Sequence, residues 1–81
     1  MLKELAEAAA RQGEAIFVQV APEKIDLLNK LLEGYDNLTL VTTLDAQKGD
    51  LVLWVTKDTY RDTIRVIKHF PFAVQITGTS V

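Results

Sequence analysis

The chain has no cysteine and a single histidine among 81 residues. The first absence excludes a disulfide framework and a thiolate zinc site, and the second excludes a His-rich metal site. Neither a metal nor a cofactor is expected. No apolar stretch is long enough to span a bilayer, and acidic residues stand near the start where a secretory signal would be apolar. A soluble cytoplasmic protein without a membrane partner is expected. Excess charge is missing too: a net charge of -2 and a pI near 5.2 give no general attraction to phosphate backbones or anionic membranes. That argues against nucleic acid as a partner unless a local basic patch exists. There is no glycine-rich phosphate cradle, and the carboxylates of Asp36, Asp45 and Asp50 fit no calcium loop.

What is present is enough for one small domain. A single core of this size rarely supplies more than about 3–5 kcal/mol, and chains without staples often gain stability by oligomerising. Residues 1–13 read as a short N-terminal helix, with Leu2, Leu5, Ala6 and Ala9 on one stripe and Gly13 at its end. Residues 14–81 read as the domain proper. Ala15 to Val20 alternates, Ile16, Val18 and Val20 facing one way and Phe17 and Gln19 the other, the period of a strand. Pro22 suits the first position of a helix that runs to about Glu33, with Ile25, Leu28 and Leu32 as its core stripe and Leu27 and Leu31 extending it sideways. Gly34 followed by Tyr35 has the composition of a Schellman ending.

Leu38 to Leu44 and Leu51 to Thr56 read as an antiparallel pair joined by the polar loop from Asp45 to Asp50. A second helix is expected from about Asp58 to His69, capped by Asp58 or Thr59, with Tyr60, Ile64 and Ile67 inward and Pro71 forbidding its continuation. Phe72, Val74 and Ile76 then alternate with Ala73, Gln75 and Thr77 in a last strand closed by Gly78.

The fold class that follows is α+β, a ferredoxin-like βαββαβ sandwich with antiparallel sheet order 4-1-3-2 and an extra N-terminal helix. Right-handed crossovers put both helices of the domain on one face of the sheet. The other face, phased as Phe17 and Gln19, Thr39, Val41 and Thr43, Val52, Trp54 and Thr56, then Ala73, Gln75 and Thr77, carries no charge although 25% of the chain is charged. Phe17 and Trp54 fall on adjacent strands, within reach of each other. Such a face is expected to be buried against a partner, a homodimer or higher homo-oligomer, with room for a small-molecule effector inside the contact. Four strands about 4.8 Å apart and roughly six residues long cover only about 400 Å². Two such faces remove about 800 Å², below the roughly 1,200 Å² of a stable complex, so the N-terminal helix or the hairpin arm must add contact.

The run from Leu27 to Asp36, continuing through Val41-Thr42-Thr43-Leu44-Asp45 to Lys48-Gly49, resembles an uncharacterised family of short bacterial proteins classed as a domain of unknown function. The segment from about Glu14 to Thr77 more distantly resembles ACT-type regulatory domains. That second resemblance implies the same order of elements and binding of small effectors at a dimer interface. ACT-type domains commonly open their first helix with Pro-Gly; here Pro22 is followed by Glu23.

The candidate ligand-binding or interface residues are therefore Phe17, Gln19, Val41, Thr43, Val52, Trp54, Thr56 and Gln75. Lys57, Arg61, Arg65 and Lys68 recur at spacings of one helical turn and form the one concentrated cationic stripe, a candidate contact for an anion or a partner's carboxylates. The plain alternative is a solvated outer helix face, with Asp58 and Asp62 beside it. A second reading is a small RNA-binding domain of RRM-like topology stacking bases on Phe17 and Trp54; against it, Leu51-Val52-Leu53-Trp54-Val55 contains no Lys, Arg or Gly. A third is an enzyme of the dimeric ferredoxin-like barrel type. Catalytic residues are not nominated, because His69 stands at a helix end, where a structural role suffices, and no triad can be assembled around it.

Overall fold

A computed structural model describes residues 14–35 and 38–79. The N-terminal helix expected over residues 1–13 lies outside them. The elements in chain order are β1 (Ala15–Gln19), a 3-10 turn (Pro22–Lys24), α1 (Ile25–Glu33), β2 (Leu40–Asp45), β3 (Asp50–Trp54), α2 (Tyr60–Lys68) and β4 (Gln75–Thr79). The result is an α+β structure with one four-stranded antiparallel sheet in the order β2-β3-β1-β4. Among the described residues no helix is long and apolar enough to cross a membrane.

The alternation in β1 and β3 decides where the core sits. Ile16 and Val18 pair across the ladder with Leu53 and Leu51, and these four pack with Leu28 and Leu32 of α1 and Ile67 of α2 in one buried cluster. Both helices therefore lie on the same face of the sheet. Each of these side chains contributes roughly 1.5–3 kcal/mol by leaving water. The two central strands supply most of that cluster, which is why their positions are the most strongly specified in the fold.

Four junctions orient the rest. Pro22 opens the 3-10 turn without losing a bond, since its nitrogen lies in the first turn. At the other end α1 closes on tightened bonds, Gly34 N–H to the Leu31 carbonyl at 3.3 Å and Tyr35 N–H to the Leu32 carbonyl at 3.1 Å. Gly34 keeps a right-handed φ of -70°, so the expected Schellman ending is absent. A three-residue bond pattern satisfies the last carbonyls without any positive φ.

The second helix begins at a reciprocal threonine box. Thr59 N–H donates to Thr56 Oγ1 at 3.3 Å and Thr56 N–H donates to Thr59 Oγ1 at 3.0 Å, the exchange that a capping box makes with Ser/Thr and Glu. The hairpin between β2 and β3 is tightened by Asp45, whose Oδ1 accepts from the amides of Gln47 at 3.0 Å and Lys48 at 3.2 Å.

β2 departs from the expected phase. Val41 pairs with Leu53 and Thr43 with Leu51, so both share the helix-covered face; Leu40 and Thr42, opposite Trp54 and Val52, share the helix-free one. The reason is visible in the sequence: Leu38, Leu40 and Leu44 alternate with Thr39, Val41 and Thr43, leaving both phases half apolar. As an edge strand β2 is only partly buried, and burial specifies its register weakly. Leu38 reaches the core from the connection ahead of the strand, which frees the strand itself to place Val41 inward.

The last strand also differs. Phe72 and Val74 pack against the core ahead of β4, and the paired segment starts at Gln75 and runs through Gly78 to Thr79 instead of closing at Gly78. A bulge opposite the Phe17/Val18 step pairs Phe17 with Gly78 and Val18 with Ile76, leaving Thr77 extra.

Candidate functional site

The helix-free face is built by Ala15, Phe17 and Gln19 of β1, Asp50, Val52 and Trp54 of β3, Leu40 and Thr42 of β2, and Gln75 and Gly78 of β4. Of the expected site residues it gathers Phe17, Gln19, Val52, Trp54 and Gln75. Val41 and Thr43 are on the opposite face for the reason of phase given above. Thr56 is occupied in the box at the start of α2. Nor is the face free of charge. The turn is complete by Gly49, so Asp50 already belongs to β3 and stands opposite Gln19. Its parity with Val52 and Trp54 was readable in the sequence; the residue type suggested a loop instead.

The face has two unlike ends. At one, Trp54 pairs with Ala15 on one side and Leu40 on the other, and its indole Nε1–H donates to Thr42 Oγ1 at 3.0 Å. Thr39 Oγ1 donates to the Trp54 carbonyl at 2.9 Å. Phe17 stands opposite Val52 rather than Trp54. The aromatic ring pair found among the described residues is Phe70 with Phe72, centroids 5.7 Å apart, so Phe17 and Trp54 do not form a joint platform.

At the other end two grooves meet at Gln19. One, of about 430 Å³, has Phe17, Leu44, Asp50 and Thr77 in its walls. The second, of about 350 Å³, lies at the junction of β1 with the 3-10 turn and includes Pro22, Lys48, Ala73 and Gln75. Gln19 Nε2 donates to the Lys48 carbonyl at 3.2 Å, and Gln19 is paired across the ladder with Gln75 on one side and Asp50 on the other. The arrangement offers two amides, each both donor and acceptor, beside one carboxylate and apolar walls from Phe17 and Leu44. Leu44, 58% exposed, and Asp50 are the residues here that sequence reasoning missed. Leu44 falls on this side because of the shift between Thr43 and Asp45, and a bulge leaves no clear mark in the sequence.

The cationic positions Lys57, Arg61, Arg65 and Lys68 are all exposed. Arg65 approaches Asp62 at 3.7 Å with both side chains largely in water, a pair worth little. His69 Nδ1 lies 2.7 Å from the Arg65 carbonyl, so the ring nitrogen donates to a carbonyl of the last helical turn, as a C-terminal cap does. Among the described residues no three His, Asp or Glu side chains come together as a metal cluster would require.

A family model described as a domain of unknown function (DUF4911) matches residues 18–74, from the middle of β1 to the residue before β4. Neither the curated proteins nor the solved structures yield a match.

Proposed function

From the premise that the chain belongs to the DUF4911 domain family, whose description assigns no activity, we propose that it is an ACT-like, ferredoxin-like module that binds a small polar effector and self-associates through its helix-free sheet face. One observation carries this reading: two grooves converge on Gln19, where the amides of Gln19 and Gln75 and the carboxylate of Asp50 line up across neighbouring strands. Mixed donors and acceptors above an apolar floor suit a compact ligand with several polar groups. The grooves are open, and a second copy laid over this end would close them. The sheet order β2-β3-β1-β4 with both helices on one face supports the ACT-like assignment.

Native mass spectrometry of freshly purified protein tests both halves at once. The expected result is a dimer, or a higher homo-oligomer, that carries extra small-molecule mass, with Gln19→Ala losing that mass. A bare monomer at all concentrations, together with no saturable heat on titration with small polar metabolites, overturns the proposal.

A further inference from the structure

Resting on the effector site proposed at Gln19, we infer that its ligand is a short-chain zwitterion whose cationic group lies over Asp50 and whose anionic group meets Lys48, the chain between them crossing Gln19. Asp50 is the ionisable residue in the walls of the first groove and Lys48 the ionisable residue in the walls of the second, each alone there among the described residues. The two grooves are therefore opposite in charge. Gln19 belongs to both walls, so a ligand laid across it reaches one charge at either end. Phe17 and Leu44 beside Asp50, and Pro22 and Ala73 beside Lys48, give apolar walls to the methylenes in between.

Neither charge is neutralised within the chain. Lys48 and Asp50 are two residues apart, yet the ion pair found among the described residues is Arg65 with Asp62 on α2. Asp50 stands opposite Asp45 in the β2–β3 ladder, where like charges destabilise a sheet. Asp45 is bound to its own turn, its Oδ1 accepting from the amides of Gln47 and Lys48, and of the two carboxylates it is Asp50 that lines the groove. A cation placed over Asp50 meets the field of both and offsets their repulsion. Asp50 is half-buried, so this attraction is screened less than at an open surface. The Lys48 end is held differently. Gln19 Nε2 donates to the Lys48 carbonyl, which fixes the main chain, while the exposed four-carbon stem lets the ammonium follow an anion. Separation then sets the length of the ligand. The α-carbons of residues two apart are at most about 7 Å from each other, and the lysine stem adds reach, so several carbons are needed between amine and acid. An α-amino acid, with its charges on neighbouring carbons, satisfies one end only.

Calorimetric titration of the full chain with γ-aminobutyrate and ε-aminohexanoate, against glycine, butyrate, hexanoate and hexylamine, tests this. The expected result is saturable binding of one or both ω-amino acids, at least about tenfold tighter than any of the controls, as a charge-assisted contact at the second end requires. Asp50→Asn is expected to reduce that affinity to the level of the simple acid, and Lys48→Gln to the level of hexylamine, with the circular dichroism of both variants unchanged. Binding of hexylamine or hexanoate as tight as that of the ω-amino acids, affinity for glycine equal to theirs, or affinity that both variants retain, overturns the zwitterion. So does the absence of saturable binding by either ω-amino acid. These failures stay distinct from failure of the effector site itself: a co-purified mass that Gln19→Ala removes in native mass spectrometry keeps the site and discards this ligand class, and a chain that carries no such mass and binds none of the probes discards both.

Discussion

Val20 N–H donates to the Gly49 carbonyl at 3.0 Å, and Gly49 makes that approach with φ at 77°. A β-carbon on Gly49 would fall on the Val20 carbonyl oxygen and 2.9 Å from its carbonyl carbon. Both the left-handed backbone and the contact with a neighbouring main chain demand glycine, and main chain cannot rotate out of the way as a side chain can. Gly49→Ala is therefore expected to cost more than about 2 kcal/mol, the left-handed term alone being about 1–2 kcal/mol. Against about 3–5 kcal/mol for a core of this size, urea melts followed by circular dichroism should show the midpoint lowered by roughly half or more. A midpoint close to that of the parent would mean that the β2–β3 turn rearranges freely.

The threonine box at the start of α2 makes a second expectation. Thr56 and Thr59 each use a hydroxyl on the other's amide, so each substitution to alanine removes one of the two bonds and leaves the other in place. Each single variant is expected to lose about 1 kcal/mol, and the double variant more than either, the contact between the two hydroxyls at 3.3 Å giving a departure from the sum that a double-mutant cycle reads. Additive losses would show that the two bonds act separately. Thr56→Ser, which keeps the hydroxyl, is expected to stay near the parent.

Legibility followed burial. The central strands, with Ile16, Val18, Leu51 and Leu53 fully inside, alternate so strictly that their phase and pairing can be read directly, and the breakers Pro22 and Pro71 mark helix limits that the structure keeps to within a few residues. The edges resist reading for a physical reason: a half-exposed strand gains little by choosing one phase, so Val41 and Leu40 are near equivalents until the Thr43/Asp45 shift and the entry of Leu38 decide between them. The same bulges place Leu44 beside Phe17 and leave Thr77 unpaired in β4, which is how the grooves arise. Gln19 and Gln75 could be assigned to one face from alternation; their pairing with each other, and the charge of Asp50 next to them, needed the register.

The corrected phase of β2 separates two otherwise similar positions. Val41 packs against the core and Thr42 is exposed on the other face, accepting from Trp54. Val41→Asp would place a carboxylate among apolar side chains with no partner, at an expected cost above about 2 kcal/mol. Thr42→Asp keeps an acceptor within reach of the indole in water and is expected to change stability by less than about 1 kcal/mol. Thermal melts of the two variants with the ranks reversed would restore the phase that alternation alone suggests.

Glu14 is 4% exposed and its Oε2 has no hydrogen-bond partner among the described residues, although its backbone carbonyl accepts from Val55 N–H at 3.2 Å. A buried polar oxygen left unpaired lowers stability by roughly 1–3 kcal/mol relative to an apolar replacement that fits the space. Glu14→Met, of similar length, is expected to raise the urea midpoint, with Glu14→Gln in between. A fall for both variants would indicate a carboxylate held by a cation.

Base stacking makes an opposite demand on the helix-free face, and the arrangement of charge decides how it should respond. Phe17 faces Val52, the Trp54 indole is tied to Thr42, and the charge that the face does carry, Asp50, is negative. The cations Arg61 and Arg65 are exposed on α2, the helix layer, where they cannot meet the phosphates of a strand lying on the opposite side of the sheet. Single-strand binders combine stacking with an adjacent positive groove, and the electrostatic part supplies most of the non-specific affinity. A mixed-sequence RNA oligonucleotide is thus expected to leave Trp54 emission unchanged at physiological salt. Arg61→Glu with Arg65→Glu is expected to alter stability by less than about 0.5 kcal/mol per site, as substitutions on an open helix surface do. Saturable quenching of Trp54 by the oligonucleotide, weakened by the charge reversals and by added salt, would instead make the domain an RNA binder.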